Sequence, residues 1–153
     1  MMDIKKVQDK NEKTSIARYI LESLPDYFGI VETREQYIKD SADRIMIAAF
    51  DSEKPVGFLN IKQTGDRTAE IAVMGILKEY HRKGIGRRLV ESAENELHGQ
   101  FSFLQVKTVK MGVYQDYDMT NLFYKAMGFS EFEIREDLWD EANPCQIYVK
   151  YLG

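Results

Sequence analysis

The chain has 153 residues, 44% hydrophobic and 30% charged, with a formal net charge of −4. That is enough for one compact domain spanning residues 1–153, and the acidic balance argues against an extended nucleic-acid surface. A single cysteine, Cys145, and two widely separated histidines exclude an internal disulfide framework and a metal centre of the structural zinc type. No apolar run reaches membrane-spanning length and Met1–Lys6 lacks a signal-peptide core, so a cytoplasmic soluble protein is expected.

In chain order, a short strand is expected near Asp3–Gln8. From Asn11 to Ser23 the residues Ile16, Ala17, Ile20, Leu21 and Leu24 recur at helical spacing, with Asn11 or Thr14 placed to cap the start and Pro25 to stop it. Asp26–Ile30 reads as a loop with two exposed aromatics, Tyr27 and Phe28, and a second helix follows over Glu32–Lys39. Arg44–Phe50 and Pro55–Lys62 flank the turn Asp51-Ser52-Glu53-Lys54 and predict a hairpin. Gly65-Asp66 marks a turn before a third strand, Thr68–Leu77. A helix from Gly84 to His98 sets Ile85, Leu89, Ala93 and Leu97 on one stripe beside Val90, with Gly99 just past its end. A strand over Phe101–Val109, a helix over Met119–Met127 ended by Gly128, and strands near Phe129–Asp137 and Gln146–Tyr151 complete the chain. This order reads as α+β, mostly antiparallel, with one parallel step across the Gly84 helix.

The strongest binding signal is Tyr80-His81-Arg82-Lys83-Gly84-Ile85-Gly86-Arg87-Arg88, four of whose residues are Arg or Lys around two glycines. A helix beginning there presents unpaired N–H groups and a positive dipole end, which suits a phosphate or pyrophosphate. A P-loop fails because Lys83 precedes the glycines and no Ser or Thr follows them; a dinucleotide fingerprint fails because its third glycine position is Leu89. Plain turn glycines with solvated basic neighbours are the remaining alternative.

His81-Arg82-Lys83-Gly84-Ile85-Gly86 after an apolar strand resembles motif A of the Gcn5-related N-acetyltransferases (GNAT), with His81 in place of the preferred Gln or Arg. Asn121-Leu122-Phe123-Tyr124-Lys125-Ala126-Met127-Gly128-Phe129 resembles the family's motif B. The resemblance implies a GNAT fold: a mixed, mostly antiparallel sheet of six to seven strands, about four flanking helices and splayed central strands. It implies acetyl-coenzyme A as donor, with no metal, and transfer of its acetyl group to a primary amine by direct attack in a ternary complex. The protein would act as a monomer or homodimer, without nucleic-acid or membrane partners. A non-catalytic module that binds the coenzyme is the alternative.

By the same resemblance, His81, Arg82, Lys83, Gly84, Ile85, Gly86 and Arg87 would cradle the pyrophosphate, and the backbone of Met74, Gly75 and Ile76 would run beside the pantetheine arm. An N–H there would polarise the thioester carbonyl, and Gly75 fits a close ligand approach. Tyr124 would protonate the departing thiolate; its spacing alone reads as an aromatic packing beside Phe123, and the Gly128-Phe129 that follows at family spacing favours the functional role. Asn121 would touch the coenzyme arm or serve as an N-terminal helix residue. Glu70, eleven residues before His81, would be the general base with a carboxyl raised by desolvation; a solvent-facing glutamate and a water chain are the alternatives. Tyr114 and Tyr117, with Tyr27, Phe28 and Trp139, are candidates for an acceptor pocket suited to a cation; an exposed loop with no such role is the alternative. Tyr80 could touch the coenzyme or pack the loop, His98 reads as a helix C-terminal cation, and Cys145 as a packing residue. The acceptor itself is not legible in these motifs.

Overall fold

The computed structural model describes residues 2–153 as seven β-strands and five α-helices, an α+β fold. Packing separates two units. The first runs through Lys62 and resumes over Ile71–Glu96; the second comprises Gln63–Glu70 and Leu97–Gly153.

The first unit opens with β1 (Met2–Val7) and α1 (Lys10–Glu22). Ile16, Ala17, Ile20 and Leu21 form the buried stripe of α1 that its spacing predicts. The cap is neither Asn11 nor Thr14. Asp9, extended at φ −75°, accepts a hydrogen bond from Glu12 N at 2.8 Å, so the helix starts one residue earlier. Pro25 ends α1 and also begins α2 (Pro25–Phe28), a single turn, because its fixed φ suits the first helical position. The predicted loop is therefore partly helical, and Tyr27 and Phe28 are half-buried rather than exposed, with Phe28 edge-on to Tyr37 at 6.1 Å. Helix α3 (Val31–Ser41) follows, then β2 (Ile45–Asp51) and β3 (Lys54–Gln63).

β1 and β2 pair antiparallel, as do β2 and β3, in the order β1-β2-β3-β4 with β4 (Thr68–Ile76). Met46, Ile47, Ala48 and Ala49 of β2 are all buried, which requires cover on both faces of the strand. A polar tie joins β3 to α3: Asn60 donates to Ser41 Oγ at 2.8 Å, and Ser41 donates to the Tyr37 carbonyl at 2.8 Å. Helix α4 (Ile85–Leu97) buries the predicted stripe of Ile85, Leu89, Val90, Ala93 and Leu97.

In the second unit β5 (Phe103–Val109), β7 (Cys145–Tyr151) and β6 (Ser130–Arg135) make an antiparallel set in the order β5-β7-β6. Helix α5 spans Gln115–Ala126, a turn longer than predicted. Its early start follows from Asp116 and Asp118 in the first turn, which complement the helix dipole; Asp118 also accepts from Gly112 N at 2.7 Å. Gly128 at φ +92° ends it as expected. No helix among the described residues is long and apolar enough to cross a membrane.

Candidate active site

Within the first unit, β4 ends at Ile76 and the chain turns through a 3₁₀ segment, Lys78–Tyr80. The His81 ring donates through Nε2 to the Ile76 carbonyl at 2.7 Å, which folds the turn back onto the strand. Arg82 at φ +62° and Gly84 at φ +78° then reverse the backbone. The first bond into α4 is Arg88 N to Gly84 O at 3.2 Å, so the N–H groups of Ile85, Gly86 and Arg87 have no carbonyl of a preceding turn behind them. Gly84 has no side chain to cap them, in contrast to Asp9 at α1, and the first turn of α4 carries no acidic residue. A Cβ at Gly84 would meet nothing within 4 Å, leaving the backbone open to a ligand. His81, Arg82, Lys83, Gly84 and Arg87 are exposed, Gly86 is half-buried and Ile85 is buried. The result is a helix start that gathers open backbone donors, a dipole end and basic side chains, an arrangement of the kind that suits an anion.

Tyr80 anchors this turn to the β2–β3 hairpin. Its hydroxyl donates to Asp51 Oδ2 at 2.6 Å, with the Lys83 and Lys54 ammonium groups 5.2 and 5.7 Å from its ring centre. That hydrogen bond holds the Asp51 carboxyl below its usual range and raises the Tyr80 phenol. Tyr80 is thus a packing anchor of the turn, one of its two expected roles.

Met74 and Ile76 are half-buried on β4, with Gly75 buried between them. A Cβ at Gly75 would lie 3.1 Å from Ile20 Cγ2 of α1 and 3.2 Å from Leu24 Cδ1 just beyond that helix, so close packing leaves little room for a side chain at this position.

In the second unit Glu70 is buried, not solvent-facing. Its Oε1 accepts from Gln105 Nε2 at 2.7 Å and pairs with Lys107 Nζ at 2.9 Å. Sequence reasoning missed both partners, although Gln105 and Lys107 are polar residues two apart on an apolar strand and so share one face. Tyr124 is buried between Phe123 and Phe129, with ring centres 5.1 and 5.4 Å away, and Tyr148 lies 6.3 Å from it. Burial raises its phenol, which keeps the hydroxyl protonated at neutral pH. No hydrogen bond to that hydroxyl is present among the described residues.

Asn121 is fully buried, and its amide is committed to the protein: Nδ2 donates to Val109 O at 2.9 Å and Tyr117 O at 2.6 Å, while Oδ1 accepts from the Tyr148 hydroxyl at 2.5 Å. This side chain ties α5 to β5 and β7. Tyr114 precedes α5, Tyr117 lies in its first turn, and their rings meet edge-on at 6.0 Å. Tyr27 and Phe28 belong to the other unit. Burial pushes the Cys145 thiol up to about 11, in keeping with a packing role. Among the described residues no three His, Cys, Asp or Glu side chains gather as a metal site would.

The family model of the acetyltransferase (GNAT) family matches residues 12–129. A GNAT-family protein from Desulfovibrio desulfuricans has a similar structure, with a TM-score of 0.81 over 100% of both chains at 16% identity. An aminoglycoside 6′-N-acetyltransferase complexed with coenzyme A superposes at 0.75, with 17% identity, over 99% of this chain and 97% of its own. The ribosomal-protein-S18-alanine N-acetyltransferase of Escherichia coli superposes at 0.77, with 15% identity, over 100% of this chain and 95% of its own. At these identities the likeness shows the fold. No curated protein sequence matches the chain.

Proposed function

The chain belongs to the acetyltransferase (GNAT) family, and from that premise we propose that its 153 residues act as one N-acetyltransferase domain. It takes an acetyl group from acetyl-coenzyme A and delivers it to a primary amine by direct attack. The observation that carries this reading is the start of α4, where Arg82 and Gly84 turn the backbone and leave the N–H groups of Ile85, Gly86 and Arg87 open among exposed basic side chains. His81 supports the cradle indirectly, through its bond to the Ile76 carbonyl.

In the proposed reaction the neutral amine nitrogen attacks the thioester carbonyl carbon and the carbon–sulfur bond breaks. Tyr124 donates its proton to the departing sulfur, a role its protonated, unpartnered hydroxyl suits. The attacking nitrogen loses a proton to Glu70, directly or through water. Backbone N–H groups over Met74–Ile76 would polarise the carbonyl. Asn121 acts as a positioning residue in this scheme, its amide holding α5 to β5 and β7.

Acetyl-CoA should raise the melting temperature, and thiol release should then be followed across an amine panel. Aminoglycosides and an alanine amine of a peptide belong on that panel, because one structural neighbour is an aminoglycoside 6′-N-acetyltransferase and another a ribosomal-protein-S18-alanine N-acetyltransferase. Turnover with one amine class supports the proposal. Stabilisation without turnover on any amine would leave a coenzyme-binding module, and no stabilisation at millimolar acetyl-CoA would overturn the assignment.

A further inference from the structure

We propose that the outer edge of β6 is a docking strand for an extended, cationic segment of a partner protein. β6 lies last in the order β5-β7-β6 and pairs with β7 alone. Its other edge presents backbone donors and acceptors with no neighbouring strand. All six residues, Ser130–Arg135, are exposed. Phe132 is 65% and Ile134 43% exposed, and Leu138 and Trp139, just beyond the strand, are 40% and 45% exposed. Four large apolar side chains within eight residues of an open edge are more than isolated surface hydrophobics require.

Edge strands are ordinarily guarded by lysine, proline or a bulge. β1, at the edge of the first unit's strands, carries Lys5 and Lys6. β6 has a register shift between Glu131 and Glu133 but neither lysine nor proline. Its charge is one-sided: Glu131, Glu133, Glu136, Asp137, Asp140 and Glu141 stand against Arg135 alone over residues 130–141. Lys125 holds Glu131, and Arg135 holds Asp137. Glu136 and Glu141 make no ion pair among the described residues.

This acidic fringe chooses the occupant. A second copy of β6 would bring like charge against like, which is unfavourable. The lysines of a second copy's β1 are already engaged, Lys5 over the Phe50 ring at 5.2 Å and Lys6 with Glu96. A separate segment alternating basic and apolar residues satisfies both features. Its backbone extends the sheet, its apolar side chains cover Phe132 and Ile134, and its cations meet Glu136 and Glu141.

The probe is a ten-residue peptide alternating Lys and Val, titrated into the full chain without acetyl-CoA. Trp139 is the only tryptophan, so emission reports on this surface directly. A saturable blue shift is expected. The same peptide with every second amide N-methylated should bind about tenfold more weakly, since it cannot add a strand. A Glu136→Lys/Glu141→Lys protein should also lose about tenfold. No saturable shift overturns the proposal, as does equal binding of the N-methylated peptide, which would mean charge attraction alone. A concentration-dependent dimer that excludes the peptide overturns it too, by assigning the edge to a second copy. None of these results depends on acetyl transfer.

Discussion

The Tyr148 hydroxyl donates to Asn121 Oδ1 at 2.5 Å. With the two carbonyls that Asn121 Nδ2 serves, this bond turns a residue matched to a coenzyme-contacting position into the tie between α5, β5 and β7. Asn121→Ala would leave buried polar groups unpaired and should lower unfolding stability by about 2–4 kcal/mol. Urea denaturation measures this. Acetyl-CoA affinity of the folded fraction should stay within about twofold. A variant with intact stability and weakened coenzyme binding would return Asn121 to the binding site.

Tyr124→Phe removes a hydroxyl without disturbing the rings around it, because no hydrogen bond to that hydroxyl is present among the described residues. Stability should be unchanged. Turnover should fall about 10²-fold while the KM for acetyl-CoA holds, the pattern of a lost proton donor. Equal loss in both parameters would make Tyr124 a binding residue.

Gly84 and Gly75 should separate cleanly. Gly84→Ala forces a side chain to φ +78° in open space and should cost about 1–2 kcal/mol of stability, with acetyl-CoA affinity falling as the cradle shifts. Gly75→Ala pushes against Ile20 and Leu24 and should cost about 1–3 kcal/mol through overpacking. Its effect on coenzyme affinity should be smaller. Thermal melts with and without acetyl-CoA distinguish the two.

Lys107→Met removes the cation beside buried Glu70. Lys107 keeps 28% side-chain exposure, so the loss should be about 2 kcal/mol, less than for a fully buried pair. Glu70→Gln on the same background should recover part of it, because the unpaired charge is gone; denaturant titration of the double-mutant cycle reads the coupling. In kinetics, Glu70→Gln should lower turnover. Unchanged turnover would assign proton removal to water.

Tyr80→Phe gives a pH test. The folded-state carboxyl of Asp51 is held down, so its contribution is present above the unfolded value of about 3.9 and fades as pH falls below it. The folded-state phenol of Tyr80 is raised, so its contribution is present below about 10 and fades as pH rises through the folded value. The variant should melt lower than the parent at pH 7, and the gap should close below about pH 4 as Asp51 protonates. A gap independent of pH would mean the hydroxyl acts through packing alone.

The helix stripes, the hairpin turn and the glycine that ends α5 were legible because each rests on neighbours in sequence. Periodicity, a cap or a left-handed turn is decided within a few residues. The Gly84 turn is of this kind: its positive φ and its open donors follow from a local run of residues. So did the family, since both motifs are contiguous.

Side-chain partners from distant segments were not legible. Gly75 is small because α1 lies against it. Asn121 is a tie because Tyr148, 27 residues away, reaches its oxygen, and Glu70 is paired because Lys107 and Gln105 come from another strand. One residue type can serve a ligand or the core, and at these three positions the partners that bear on the choice come from distant segments. The sequence by itself determined the Gly84 turn with its open backbone donors, because a left-handed turn is settled by adjacent residues; tertiary structure decided which polar side chains find partners, because those partners come from distant segments.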